Sequence, residues 1–427
     1  MNIFIQTVRQ NSSLESRLTA LVPVLISIYI FLNPFPHTTS IKEICFYGAV
    51  GSILYLWKVR KKRFMLRTPL TLPFLLFLAW VTATAPFAID PGNTFHDIYS
   101  HLIRYIVLYL IIFNYFNNRA KVIHLTWVFV LSSTIFIGWA MIYFYLMLDN
   151  PITTRLATGH MEVLKQAPIA TIGFVAFVSL LVSLHLFFET AELRLKTLLA
   201  VFITLLGSSL FLSQTRGFLI ALFISIIVLT FPRNKKIMIA LLLLLIGLTV
   251  FTRVGDRFTL NPLLHNARTK ICFTMLEISK DYPLTGIGYG MQSYYSLDAE
   301  KYDKRIKDPR KKHLYGPDKR LFIGDPHNWA AGLLVRTGIP GLILYLYLIF
   351  AILKMGLETI IRQPDRHLKV WGLCFFSCCI GFLIAGLFEP SFFHMSEVIF
   401  YSFLAMMTVI WRLTTSHHSH DLSVSSS

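Results

Sequence analysis

The amino-acid sequence predicts an all-α polytopic membrane protein with about twelve transmembrane helices. Of its 427 residues, 55% are hydrophobic and only 15% are charged, whereas an ordinary soluble domain carries roughly 25% charged residues. The apolar residues also form long blocks that lack helical or strand periodicity. This pattern excludes a soluble enzyme, a disordered protein and a nucleic-acid binder, although the formal net charge is +18.

The predicted spans follow from the length that a bilayer requires. A transmembrane helix needs about 20 mostly apolar residues, because its backbone must satisfy its own hydrogen bonds in hydrocarbon. The predicted spans are 18–33, 40–57, 69–88, 98–116, 122–148, 167–189, 195–213, 217–232, 237–252, 339–361, 368–388 and 392–412. The first resembles a signal peptide, but no small-residue cleavage site follows it, so we interpret it as a retained helix.

The short loops predict the orientation of these spans. Loops rich in Lys and Arg follow the second, eighth and tenth spans, whereas the loop 89–97 contains neither residue type. Short basic loops stay on the cytoplasmic side of a membrane. With twelve spans, all the basic short loops share that side with both termini, and residues 413–427 are expected to form a disordered cytoplasmic tail.

One long polar loop, 253–338, separates the transmembrane regions 1–252 and 339–412, and the orientation places it outside the cytoplasm. It is rich in Lys and Arg, and a loop longer than about 60 residues is not governed by the positive-inside rule. Its charge therefore indicates either a solvated or lipid-facing surface, or attraction of an anionic substrate such as a lipid pyrophosphate.

Local patterns predict structure in the first part of this loop. Apolar residues at helical spacing predict a helix over 264–278, with Arg268 near its start. The following Gly286, Gly288 and Gly290 do not match a dinucleotide-binding fingerprint. We expect close backbone packing or a turn around a substrate there instead.

The end of the loop contains a candidate general base. Asp325 and Pro326 suit the N-cap and first position of a short helix that Gly338 would end, which places His327 in the first turn. A helix amino terminus disfavours imidazolium and keeps the ring neutral, as a base requires. A histidine at such a position more often caps or packs, so both interpretations stay open.

Two arginines lie in or beside apolar spans. Arg216 follows the seventh span at the outer membrane edge, where its planar guanidinium suits a phosphate group; a snorkelling interfacial arginine is the alternative. Arg104 lies within the fourth span, one turn after His101. An intramembrane charge of this kind lines a headgroup or acceptor pocket, or forms a structural ion pair.

Three short motifs occur in order on the outer side. They are Ser213-Gln-Thr-Arg216-Gly217, Arg268 ahead of Pro283-Leu-Thr-Gly-Ile-Gly-Tyr-Gly290, and Pro326-His327-Asn328 followed by Arg336-Thr-Gly-Ile-Pro-Gly341. Their combination resembles the O-antigen ligase/polymerase superfamily of bacterial membrane glycosyltransferases, and the large loop between spans 9 and 10 resembles its ligase branch.

This resemblance implies an enzyme of the bacterial inner membrane whose active site faces the periplasm. It would move O-polysaccharide from undecaprenyl pyrophosphate onto a lipid A–core sugar by inverting, metal-independent transfer, without a cofactor. The resemblance assigns Arg216 and Arg268 to the pyrophosphate and His327 to the acceptor as general base. An additional acidic residue beyond span 11 corresponds to Glu389.

Further candidate substrate ligands are Asn328, Arg336 and Arg104, although Arg336 could simply cap the 326–337 helix. The sequence contains no Asp-x-Asp motif, the usual carboxylate ligand of a divalent metal in glycosyltransferases. Arginine is therefore the expected charge stabiliser for the departing pyrophosphate.

Other functions stay open at this point. An O-antigen polymerase shares the donor chemistry and differs in its acceptor, and a protein O-oligosaccharyltransferase uses a serine or threonine hydroxyl. A transporter or flippase would also fit twelve spans, but such proteins usually contain two related halves, and the sequence shows no internal repeat.

Overall fold

The computed structural model of the chain describes residues 2–156, 169–250, 267–298, 301–302, 305, 327–363, 365–389 and 394–424. At 2–13, 169–171, 267–270, 394 and 415–424 the backbone alone is described. Every regular element within these ranges is helical, which confirms the predicted all-α class.

The described residues form fourteen α-helices. They are α1 (Asn2–Phe31), α2 (Thr39–Lys58), α3 (Thr71–Thr84), α4 (Pro91–Asp97), α5 (Arg104–Tyr115), α6 (Arg119–Met141), α7 (Ile169–Glu189), α8 (Leu193–Leu212), α9 (Arg216–Thr230), α10 (Lys235–Val250), α11 (Ala267–Asp281), α12 (Trp329–Arg362), α13 (Arg366–Ala385) and α14 (His394–Val424). A π-helical turn, Ile98–Ile103, joins α4 to α5, and a second, Ile142–Met147, extends α6.

Within the described ranges, eight helical segments are long and apolar enough to cross a membrane. They are Leu14–Phe31, Pro91–Tyr115, Arg119–Met147, Ile172–Glu189, Leu193–Leu212, Trp329–Arg362, Arg366–Ala385 and Met395–Thr414. The other four predicted spans fall on α2, α3, α9 and α10, which are shorter or less apolar. The protein is thus a multi-pass membrane protein.

Helix α14 extends beyond the last predicted span. It runs to Val424 and so includes most of the segment 413–427 that the sequence assigns to a disordered tail. Near its amino end it contributes Glu397, which is 4% exposed.

Helices α9 and α13 pack side by side in antiparallel orientation. At mid-length, Ser225 Oγ donates to the Ser377 carbonyl (3.2 Å) and Ser377 Oγ donates to the Ser225 carbonyl (2.7 Å). Such small polar residues let two membrane helices approach closely and hydrogen-bond across the interface. This reciprocal pair fixes the register of the two helices, and hence which residues meet at each end.

The long loop packs on the start of α12. Ile271, Met275 and Ile278 of α11 form a small apolar core with Tyr294 and Val335. Within the described residues, the predicted helix at 264–278 is confirmed as α11, although it ends three residues later. Its apolar spacing gives one buried face, which explains why the sequence revealed it.

Candidate functional site

The candidate site is built around the turn that follows α13, Gly386–Glu389, which we call the α13 turn. Two chain segments reach it from different directions. From α12, the Trp329 backbone N–H donates to the Gly386 carbonyl (2.9 Å), and its indole Nε1–H donates to the Leu383 carbonyl (2.9 Å). These bonds fix the start of α12, and therefore His327, beside the α13 turn.

The second segment is the start of α9. A Cβ on Gly217 would lie 2.7 Å from Phe388 Cβ and 3.2 Å from Glu389 Cγ. Since real Cβ contacts are not that short, only glycine permits this approach of the helix to the turn. Arg216, half-buried as the first residue of α9, consequently lies next to the α13 turn as well.

The segment before Arg216 is held by hydrogen bonds that the sequence did not predict. Arg155 donates from Nε to the Ser213 carbonyl (2.7 Å) and from Nη2 to Thr215 Oγ1 (3.2 Å). Gln214 has a left-handed backbone, with φ at 49°, which is uncommon for a residue with a side chain. The chain thus makes a fixed tight turn between α8 and α9 that orients Arg216.

Glu389 is buried, with 4% of its surface exposed. Its Oε1 lies 3.4 Å from the point that a Gly217 Cβ would occupy, so the carboxylate faces the first turn of α9. A helix amino terminus carries partial positive charge and stabilises a nearby carboxylate. The structure therefore brings Glu389 and the start of α9 together, as the sequence assignment of both to one site requires.

His327 occupies a different local structure from the one predicted. It lies before α12, with φ at 51°, and Asn328 is the N-cap, its Oδ1 accepting from the backbone N–H groups of Ala330 (3.0 Å) and Ala331 (3.1 Å). The prediction that His327 lies in the first helical turn is wrong, because the helix cap is Asn328, three residues after the predicted cap Asp325. The predicted capping residues Asp325 and Pro326 lie outside the described residues.

Asn328 therefore has a defined structural role. With its side-chain oxygen accepting two helix N–H groups, it fixes the residue before it rather than reaching outward. His327 is half-buried at this fixed position. The position of its imidazole is therefore set by the Asn328 cap and not by the helix itself.

The second predicted arginine, Arg268, lies in the first turn of α11. Its side chain is outside the described residues, as are residues 306–326 of the loop. Within the described part, two loop bases bind an acid: Lys301 Nζ lies 2.7 Å from Asp281 Oδ2, and Arg305 Nη1 lies 2.8 Å from Asp281 Oδ1. These two cations form local ion pairs.

The glycine-rich segment packs tightly between the loop and α12. Ile287 and Gly288 donate backbone hydrogen bonds to the Val335 and Arg336 carbonyls (2.8 and 3.1 Å). Gly286 has a φ of 68°, and a Cβ there would lie 2.4 Å from the Arg336 carbonyl carbon. The expected close backbone packing is confirmed.

Arg336 is an internal residue of this arrangement, with 2% of its surface exposed. Its Nη2 donates to the Tyr289 carbonyl, and its guanidinium lies 4.3 Å from the centre of the Tyr289 ring. Burial raises the pKa of Tyr289, which keeps its hydroxyl neutral. Arg336 thus ties the glycine-rich segment to α12. Gly338, with φ at 69°, then breaks the helix as predicted.

Arg104 is placed against α1 and α2, not against α9 or the α13 turn. Its Nη2 lies 2.8 Å from Glu43 Oε1, and its guanidinium stacks over the rings of Phe46 and Tyr29. The structural ion pair that the sequence left open as an alternative is present. None of these contacts is with Arg216 or Glu389.

A buried acid–imidazole pair lies near the start of α12. His101 Nδ1 is 2.7 Å from Glu397 Oε2, and both residues line a small cavity with Tyr289, Trp329 and aromatic side chains of α3, α12, α13 and α14. Sequence reasoning missed Glu397. The sequence did contain an indication of it, because Glu397 is a single carboxylate inside a mostly apolar predicted span. An ionisable residue in such a span indicates a functional site.

These contacts bring together a guanidinium, a carboxylate and an imidazole-bearing segment around one turn. A guanidinium binds phosphate oxygens, a neutral imidazole accepts a proton, and a carboxylate accepts hydrogen bonds from hydroxyl groups. In the part of the chain that the structure describes, no group of three or more His, Cys, Asp or Glu residues is arranged to hold a metal ion.

Comparison with protein-family models gives a match. Residues 199–346 match the family model described as O-antigen ligase, a region that includes Arg216, Arg268, His327 and Arg336. Arg104 and Glu389 lie outside it. No curated protein matches the chain.

Proposed function

We propose, on the premise that this chain belongs to the O-antigen ligase/polymerase superfamily, that it is an O-antigen ligase. Members of this family are glycosyltransferase-like enzymes of O-antigen assembly. The proposed reaction transfers O-polysaccharide from undecaprenyl pyrophosphate to a sugar of lipid A–core at the periplasmic face of the bacterial inner membrane. Both termini of the chain are then cytoplasmic.

The observation that supports this proposal best is the convergence on the α13 turn. Arg216 lies next to it through the Gly217 contact, and His327 lies next to it through the Trp329 hydrogen bonds. More than one hundred residues separate these segments in the chain. A metal-independent transfer requires at least two groups at one place. One is a cation that stabilises the donor pyrophosphate, and the other is a base that deprotonates the acceptor hydroxyl.

The donor half of the reaction needs charge stabilisation. When the bond between the anomeric carbon and the pyrophosphate oxygen breaks, negative charge grows on the departing lipid pyrophosphate. Arg216 is half-buried after the turn that Arg155 holds by hydrogen bonds. Its guanidinium offers several N–H donors in one plane and stays charged at any relevant pH. Arg268, from the first turn of α11, is the proposed second cation.

The acceptor half needs a stronger nucleophile than a neutral sugar hydroxyl. We assign His327 as the general base that takes the hydroxyl proton as the oxygen attacks the anomeric carbon, opposite the pyrophosphate. A one-step attack of this kind inverts the anomeric configuration. Glu389 faces the same turn, and we assign it to binding the hydroxyl groups of the acceptor sugar. Asn328 and Arg336 act as positioning residues, through the cap and the glycine-rich segment respectively.

A deletion strain of the source bacterium tests the proposal. Its lipopolysaccharide, resolved on a gel, is expected to contain intact lipid A–core without O-chains, while O-polysaccharide accumulates on its lipid carrier. Lipid A–core that carries a single repeat would instead identify a polymerase. Normal lipopolysaccharide would reject both. Because the proposed transfer uses no metal, a chelator is expected to leave it undiminished in membranes.

A further inference from the structure

A basic cleft lies at the opposite end of the α9–α13 pair from the candidate site. It has a volume of about 570 Å³ and opens where α7 and α9 end, α10 begins and α13 begins. Helix α9 has 15 residues and is therefore about 22 Å long. This distance separates the cleft from Arg216 and the α13 turn, so the proposed transfer does not use it.

The charge that lines the cleft is mainly positive. Arg233, Arg366 and Lys369 lie on it, against one carboxylate, Glu189, among its described lining residues. Glu189 is already engaged, because its Oε1 lies 3.3 Å from Arg233 Nη1 and its Oε2 lies 3.7 Å from His367 Nδ1. No described acid is ion-paired with Arg366 or Lys369, so an incoming anion would meet two cations there.

Arg233 is the fixed centre of the cleft. Its Nη2 donates to the Val370 carbonyl (3.1 Å) and hydrogen-bonds to Nδ1 of the buried His185. The Arg233 side chain is only 13% exposed, and this burial lowers the pKa of its guanidinium. A phosphate group beside it would replace the missing solvation and stabilise the charged form.

Apolar side chains form the rest of the wall. Phe188, Ile237, Val370 and Leu373 lie beside the cations, at the ends of helices that carry apolar residues along their length. This combination of a basic rim and an apolar wall at a helix end suits an amphiphile. A free inorganic anion would gain from the cations alone and would leave the apolar wall without a partner.

We propose that this cleft binds the phosphate group of an anionic membrane lipid, with its acyl chains against the apolar wall. Basic pockets between transmembrane helices on the cytoplasmic side are suited to anionic headgroups. Since α7, α9 and α13 all contribute, a bound lipid would tie together the helices whose other ends carry the candidate site.

The experiment uses the purified full-length protein in a neutral detergent and measures bound lipid by native mass spectrometry. Phosphatidylglycerol, phosphatidylcholine and inorganic phosphate are the probes. The variant is R366Q/K369Q, which removes two cations but leaves the Arg233 contacts intact. The matched control is K58Q/K61Q, which removes two exposed lysines from another loop of the same predicted side.

Phosphatidylglycerol is expected to bind at least about tenfold more tightly than phosphatidylcholine, and R366Q/K369Q should weaken it by about tenfold or more, because each cation near an anionic headgroup contributes on that scale. K58Q/K61Q should leave it unchanged. Equal binding of the two lipids by the unmodified protein would overturn the proposal without any variant. Equal weakening in both variants would indicate nonspecific attraction and also overturn it. Displacement of the lipid by inorganic phosphate at the same apparent affinity would assign the cleft to free phosphate, contrary to the proposal.

Discussion

The two ends of the α9–α13 pair place their cations by different means. At the α13 turn, Arg216 is positioned through its backbone: Gln214 has a left-handed conformation, Arg155 hydrogen-bonds to the Ser213 carbonyl, and Gly217 admits the turn. At the basic cleft, Arg233 is positioned by side-chain contacts with Glu189 and His185. The first arrangement fixes the backbone that carries the cation, whereas the second fixes the guanidinium group itself.

This difference fits the task proposed for each end. Stabilising a departing pyrophosphate requires donors that are already in place when charge develops, and small displacements of such donors are costly. Attracting a lipid headgroup requires charge at the right depth but no fixed angle. Three predictions compare positions that are fixed by the backbone with a contact that is held by ion pairs.

The largest effect is expected at the backbone-fixed end. Arg216→Ala and His327→Ala should each lower the transfer rate by on the order of 10²-fold or more, because they remove transition-state stabilisation and the general base respectively. Arg216→Lys should recover only part of the loss, since an ammonium lacks the bidentate fork. The measurement is transfer of lipid-linked O-polysaccharide in membranes with equal amounts of each inserted variant.

Two controls separate chemistry from folding in that experiment. His37 is an exposed histidine with nearly the same left-handed backbone as His327, φ 58° against 51°, so His37→Ala reproduces the backbone change. Arg194→Ala removes an exposed arginine near the start of α8. Both should retain full activity. Full activity in His327→Ala would eliminate the base assignment.

A smaller effect is expected from closing the glycine contact. Gly217→Ala places a methyl group 2.7 Å from Phe388 Cβ, and such overpacking costs about 1–3 kcal/mol. Because α9 must move away from the α13 turn, transfer should fall together with thermal stability. Gly207→Ala in α8, where a Cβ meets nothing within 4 Å, should not destabilise the protein. Equal melting temperatures for the two variants would show that the approach at Gly217 is not close.

The smallest effect is expected at Asp281, an ion-paired carboxylate of the long loop. Lys301 and Arg305 hold the pKa of Asp281 below its usual range, so the ionised acid stabilises the fold. This contribution is present above an unfolded-state pKa of about 3.9 and is lost as the pH falls through the lower folded-state value. It amounts to about 1 kcal/mol or less, because both bases are largely exposed.

Hydrogen exchange of residues 281–305 measures this contribution. After correction for the intrinsic pH dependence of exchange, the exchange rate of the unmodified protein should rise as the pH falls from 7 to 3. Asp281→Asn should exchange faster at pH 7 and show no further loss of protection on acidification. A pH response in Asp281→Asn as large as that of the unmodified protein would contradict the assignment to Asp281.

The sequence predicted the helices well and their contacts poorly. Hydropathy placed all twelve spans on helices, and the apolar spacing of α11 revealed a helix inside a polar loop. The start of α12 was misplaced because Asp325 and Asn328 are both good capping residues, and local sequence does not say which one is used. The identity of the cap depends on where Trp329 docks on α13, which is a long-range contact.

Part of the candidate site was also accessible from the sequence. Motif order and predicted topology singled out Arg216 and His327, and the family resemblance added Glu389. The structure places Arg216, Glu389 and the segment carrying His327 around the α13 turn. Arg155 was not found, because an arginine in a short loop carries no signal of the carbonyl it will meet. Glu397 carried a signal, a lone acid in an apolar span, but its partner His101 is 296 residues away.

The sequence by itself determined that this chain is a bundle of membrane helices with one polar loop, since burial in lipid is decided residue by residue along each segment. Tertiary structure alone decided which helix ends meet. The reciprocal serine bonds between α9 and α13, and the single glycine that admits the α13 turn, depend on two distant surfaces fitting together, and no local pattern encodes that fit.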